Sequence, residues 1–305
     1  MPRRVVVTSV LLFAASSSAV PAHWNRLVIR PDHPTLLQPK PGHVAPRNRF
    51  GRMETISDWH FHATNNKRTI RVLLPRSFDE QPDKRYPVVY MHDGRELLDD
   101  HMATFGHGWH VDRAANQGAQ DGSIREAVYV LIDHQGAQRV AEYTLPQSGG
   151  HGDRYLEAIV KELKPEIERG LAGRLLTDPA HTAMMGSSAG GYISAVAGAW
   201  YPEVFGLIGV VSPMTYYDHK SIVYLVRGTP DAAKKLSRVY VDSGDSQNQD
   251  NEMFDDMINT SALAKLYRDL GATVHYVVGE GHEHNEWAWE QRFPSAMAYL
   301  LGAEP

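Results

Sequence analysis

The chain predicts an α/β fold with a mostly parallel central sheet and helices on both faces. Two features of the pattern carry this prediction. Short apolar runs recur along the chain, each closed by polar or glycine-rich residues, as expected of parallel strands buried on both faces. Segments of helical period alternate with them, which implies strand-helix-strand crossovers and strand ends gathered at one edge of the sheet. With 305 residues, 42% of them apolar and 22% charged, the chain is also long enough to bury a substantial core.

The first element is not part of that fold. Arg3 and Arg4 precede the apolar run VVVTSVLLFAA, and small residues follow, so residues 1–22 read as a signal peptide cleaved after Ala19 or Ala22. That reading places the protein in the periplasm or outside the cell; without cleavage it would be cytoplasmic. The run is too short to span a bilayer permanently. Residues 23–50, containing RPDHPTLLQPKPGHVAPRNR, keep no strand or helix period and read as a Pro-rich arm or linker.

The domain is expected from 51 to 305. METISDWHFHA and KRTIRVLLP alternate β-branched and aromatic residues with polar ones and predict a strand pair. The buried strands are expected in YPVVYMHDG, EAVYVLIDH, HTAMMGSSAGG, GLIGVVSP, RVYVDSGD and TVHYVVGEG. Helices are expected in DRYLEAIVKELKPEIERGL, GYISAVAGAW, TSALAKLYRDLG and FPSAMAYLLG.

Composition narrows the function. A net charge of −5 gives no basic footprint, so no nucleic-acid partner is expected and a small molecule fits better. The absence of cysteine removes disulfides, thiol nucleophiles and thiolate metal sites. His101, His107 and His110 cluster in HMATFGHGWH, but their spacing matches no compact helical ligand pattern, and no metal site is expected. Trp109 in the same stretch is either a wall of a substrate pocket or an ordinary core residue.

The chemistry concentrates at GSSAG. A serine on the tight turn between a buried strand and a small-residue helix stands proud of the sheet, with glycines at 186 and 190 clearing its backbone. Ser188 is therefore the expected nucleophile, and the amide of Ala189, at the helix start, an expected oxyanion donor. A serine hydroxyl needs a base within hydrogen-bond reach. The late loop GEGHEHNEWAW offers His282 and His284, and spacing alone admits either.

The segments YPVVYMHDGRELLDD, REAVYVLIDHQGAQRVAEYT, MMGSSAGGYISAVAGAWYPEVFG, YVDSG and GHEHNEWAWEQRFPSAMAYLL resemble successive signatures of the putative-esterase group of α/β-hydrolases. This group includes enterochelin, feruloyl and acetyl-xylan esterases and the esterase D type. The resemblance implies an α/β-hydrolase fold, a cofactor-free serine esterase and a small-molecule ester substrate. It also implies His284 as the base and the amide of Arg95, after Gly94, as the second oxyanion donor. His92 and Asp93 then belong to the scaffold, while Arg139, Glu142 and Tyr143 lie near the cleft, in a structural ion pair or against substrate. One departure stands out: where the group carries an acid three residues after the glycine of YVDSG, this chain has Gln247. Asp245 is the expected replacement, Asp250 the alternative, with Asp242 at the strand end; a serine-histidine dyad stays open. An acyltransferase of the same fold, or a binding protein on a hydrolase scaffold, are the competing functions.

Overall fold

A computed structural model describes residues 50–171, 173–246 and 257–302. The expected signal peptide, nearly all of the Pro-rich arm, Gln247 and Asp250 lie outside them. The strands are β1 (Gly51–Phe61), β2 (Asn66–Pro75), β3 (Val88–His92), β4 (Val128–Ile132), β5 (Thr182–Ser187), β6 (Leu207–Val211), β7 (Arg238–Gly244) and β8 (Val274–Gly279). The helices are α1 (Arg76–Glu80), α2 (Val111–Asp121), α3 (Arg139–Tyr143), α4 (Gly152–Ala158), α5 (Lys164–Gly170), α6 (Ala189–Trp200), α7 (Tyr217–Gly228), α8 (Pro230–Lys235), α9 (Met257–Asp269) and α10 (Glu286–Leu301).

Among the described residues the strands form one sheet in the order β1-β2-β4-β3-β5-β6-β7-β8. β1 and β2 pair antiparallel, with a register shift between Ile56 and Trp59, and β2 is antiparallel to β4. From β4 to β8 every pairing is parallel. Every residue of β3, β4, β5 and β6 is buried, which is why these strands read as mostly apolar runs. β8, at the edge, is half exposed.

Alternation along the strands divides the core between two faces. Val89, Met91, Leu131 and Met185 pack with Phe293 and Met297 of α10. Residues of the opposite parity face the other side of the sheet: the Tyr90 ring lies 6.0 Å from Phe205, in the turn after α6, and His92 Nδ1 is 2.8 Å from the Tyr155 hydroxyl of α4. A π turn over Ile159–Leu163 joins α4 to α5 as one helical run, and its buried Glu162 accepts the amides of His62 and Ala63 at 2.8 and 2.9 Å. That acceptor fixes the turn between β1 and β2.

The helices depart from expectation in two ways. FPSAMAYLLG marked a helix near its proline, yet α10 starts at Glu286 and carries Pro294 inside it. The Asn285 side chain caps it by accepting the Ala288 amide at 3.0 Å, so EWAW is helix and not loop. α1, α2, α3, α7 and α8 were not anticipated; α2, with the sequence VDRAANQGAQD, buries only Val111, Ala115 and Gly118.

The order β4-β3-β5 locates the site. After β3 the chain steps to one side and then returns to add β5 on the other, so the carboxyl ends of β3 and β5 flank a topological switch point. In open α/β sheets ligands bind in the crevice at such a point.

Candidate active site

Ser188 stands between β5 and α6 with φ 56° and ψ −118°, a conformation that L-residues rarely adopt. Three backbone bonds hold it there: its amide donates to Val211 O at 3.0 Å, and its carbonyl accepts from Tyr192 and Met214 at 3.0 and 3.2 Å. The flanking glycines sit where a side chain would be tight. A Cβ at Gly186 would lie 3.0 Å from the backbone of Gly190 and from the His92 ring, and one at Gly190 would lie 3.2 Å from Asp93 Oδ2.

The loop after β3 runs beside this elbow. Asp93 is left-handed, and Gly94–Glu96 form a 3-10 turn that carries Arg95. Among the described residues neither Ala189 nor Arg95 uses its amide in a backbone hydrogen bond outside its own helix or turn. The Arg95 guanidinium is half exposed and its Nε donates to Met102 O at 3.1 Å. Loop and elbow are joined by Arg139, whose Nε and Nη2 donate to the two Asp93 oxygens at 2.7 and 2.8 Å, while Nη2 also reaches Ser187 O at 3.3 Å. Burial alone would raise the Asp93 carboxyl, but the paired guanidinium overrides it and holds the group below the usual carboxylate range. Burial lowers the His92 imidazole to about 3, so this ring is neutral and serves the scaffold, against Gly186 and Gly190.

Ser188 and His284 line one cleft of about 360 Å³, with His92, Asp93, Trp109 and Arg139 among its other walls. His284 is 9% exposed, and its ring meets the edge of Trp289 at 5.0 Å. His282 points elsewhere: its Nδ1 lies 3.0 Å from Arg292 Nη1. Trp109 is both of the things expected of it, a cleft wall and a core residue 2% exposed. Glu142 turns away from the cleft to Arg68 and Asn66, at 2.7 and 2.5 Å, and Tyr143 packs 5.2 Å from the His92 ring and under Arg139.

The carboxylates after β7 divide as follows. Asp245 is exposed and accepts the Gly281 amide at 2.6 Å; among the described residues it makes no hydrogen bond to His284. Asp242 is fully buried. It accepts from Tyr240 Oη and the Ser212 amide, both at 3.0 Å, and faces Arg292 Nε at 3.1 Å. Arg292, reaching from α10, thereby ties β7 to Ser212 Oγ, at 2.7 Å, and to His282.

Sequence reasoning missed three titratable residues of the cleft, Glu96, His134 and Glu286. Glu96 accepts from the Thr104 amide and hydroxyl at 2.6 and 2.7 Å and lies 3.2 Å from His134 Nε2, which offsets burial and lowers its carboxyl. Glu286, buried at the start of α10, is raised by burial and further by Glu96. Their signal in the sequence was position alone, each lying soon after the carboxyl end of a strand.

Residues 62–300 match the family described as "Putative esterase". A Bacillus subtilis relative, the uncharacterized protein YbbA, is 23% identical over 79% of this chain and 95% of its own. Among solved structures, a ferulic acid esterase superposes with a TM-score of 0.64 at 20% identity, covering 82% of this chain and 98% of that one. The siderophore hydrolase EstB from Aspergillus nidulans superposes with a TM-score of 0.65 at 18% identity, over 81% and 94% of the two chains. The elbow at the switch point, the mostly parallel sheet and the matched span converge, and this chain belongs to the Putative esterase family, with an α/β-hydrolase fold.

Proposed function

We propose that the protein is a serine esterase that cleaves a small-molecule carboxylic ester through an acyl-enzyme. Carboxylic-ester hydrolysis is the activity class of its family; the serine mechanism and the substrate class are the proposal. The observation that carries it is the conformation of Ser188, held at positive φ on an elbow that opens onto the cleft shared with His284. In this reading Ser188 Oγ attacks the ester carbonyl as His284 takes its proton, and the amides of Ala189 and Arg95 receive the oxyanion. His284 then returns the proton to the leaving alcohol, and water attacks the acyl-enzyme with the same imidazole as base.

For substrates, the exposed Phe105 and the buried Trp109 and Trp289 give the cleft aromatic walls suited to an aryl ester. The names of the similar proteins, ferulic acid esterase and siderophore hydrolase, agree with an aryl or siderophore ester; an acylated sugar is the third member of the panel. Hydrolysis of p-nitrophenyl acetate and of the panel is expected from the wild type and should fall about 10³-fold or more in Ser188→Ala. Equal rates in both proteins, or no turnover of any ester by the wild type, would overturn the proposal.

A further inference from the structure

Beside the cleft, Asp100, His107 and His110 from one stretch of chain converge with Glu290 of α10. His107 Nε2 and His110 Nδ1 both face the Glu290 carboxylate of α10, at 2.7 and 2.6 Å. These three ligand-type atoms all lie within 4.8 Å of one another. Behind the rings stands Asp100, whose Oδ1 is 3.1 Å from His110 Nε2 and 3.7 Å from His107 Nδ1 and accepts the Gly108 amide at 2.9 Å.

The proton inventory of this cluster is informative. A neutral imidazole has one N–H, yet His110 meets a carboxylate at each nitrogen, and its side chain is only 6% exposed. Its Nε2 is sealed from solvent near Asp100 without an aligned hydrogen bond. Two nearby carboxylates carry two negative charges, and a dication between the rings and Glu290 would neutralise them while leaving both rings neutral. Each ring would then give its far N–H to Asp100. A carboxylate behind a metal-bound histidine is the usual device that fixes tautomer and ring orientation.

We infer that His107, His110 and Glu290 form a site for one Zn²⁺-class ion, with Asp100 orienting the two imidazoles. Two nitrogens and one carboxylate suit zinc and its neighbours better than calcium or magnesium. Ligand atoms on tetrahedral zinc stand roughly 3.3 Å apart at bond lengths of about 2.0 Å, so small side-chain rotations close the site. His107 and Glu290 remain about one-third exposed, at 32% and 30%, which leaves a fourth position to water. The histidine spacing gave no such signal because the third ligand arrives 180 residues later, on α10.

The ion would act as a staple on the cleft wall. His110 follows Trp109 and Glu290 follows Trp289; the two indoles are 5.8 Å apart, and Trp289 in turn touches His284. The site stands whether or not the protein hydrolyses esters. Its test uses the full chain without a polyhistidine tag, stripped by a chelator and dialysed against Zn²⁺. We expect about one zinc per chain, a higher melting temperature with zinc, and at least tenfold weaker binding in Glu290→Gln and in His107→Asn/His110→Asn. Retention of the wild-type stoichiometry and affinity by these variants, or no zinc on the wild type, would overturn the inference. Cobalt titration of the wild type keeps the test independent of variant folding. Intense visible bands of a low-coordinate nitrogen-bound ion support the site, and the pale hexa-aquo spectrum alone refutes it.

Discussion

Arg139 holds two parts of the proposed machinery with one guanidinium: the Asp93 carboxylate of the oxyanion loop and the carbonyl of Ser187, next to the nucleophile. A lysine keeps the charge but loses the planar fork that grips both oxygens. Arg139→Lys is therefore expected to lower kcat by about tenfold with KM changed less than about threefold, because the misplaced donor matters chiefly in the transition state. Steady-state kinetics with circular dichroism as a fold control would check it; a rise in KM at constant kcat would make Arg139 a substrate contact instead. At this scale the sequence was most informative where chemistry is local. GSSAG announced the elbow because glycine, serine and glycine meet the steric needs of one turn, and Arg139 was visible as a cleft residue through family resemblance. The Asp100 and Glu290 partnerships were not visible, since contacts across the fold leave no short-range pattern.

Among the elements, α10 bears most on the site, since its capping residue directly follows His284. Asn285 satisfies an otherwise unused amide at the first turn and sets the direction in which the chain leaves the imidazole. Asn285→Ala should cost about 1 kcal/mol, lowering the melting temperature by roughly 2–4 °C, while Asn285→Asp should retain most of it. Thermal unfolding followed by circular dichroism decides between these outcomes and an unimportant cap, for which all three proteins would melt together. The proline at 294 explains why the sequence suggested a later start: proline favours the first turn of a helix, and here it sits in the interior. The strands were easier to read. Burial on both faces leaves long apolar runs, whereas α2 is mostly polar and gives a weaker signal.

For the molecule as a whole, acid should be destabilising from near neutrality downward. An unfolded histidine titrates near 6.5, but buried His92 holds its proton only below about 3. Between these values the unfolded chain binds a proton that the folded one refuses, so stability falls as pH drops, with the loss complete near the lower value. Asp93, held below its usual range, adds a further loss in more strongly acid solution. Urea unfolding between pH 7 and pH 4 should show His92 costing on the order of 3 kcal/mol, and His92→Asn should flatten that slope whatever its absolute stability. An unchanged slope would reject the assignment. The overall architecture was legible because alternating apolar runs and helical segments permit few chain paths. Strand order was not, since period alone does not say on which side of β3 a later strand will add. Arg292, which grips β7 and the segments following β6 and β8, has a practical corollary for redesign. The turn from β8 into α10 is not an interchangeable module, because it carries His282, a partner of the guanidinium that holds Ser212 and Asp242, and a graft there must leave that guanidinium in place. Remodelling of substrate preference belongs instead at residues 102–106, where Phe105 projects into solvent, 71% exposed, and Gly106 has open space around it.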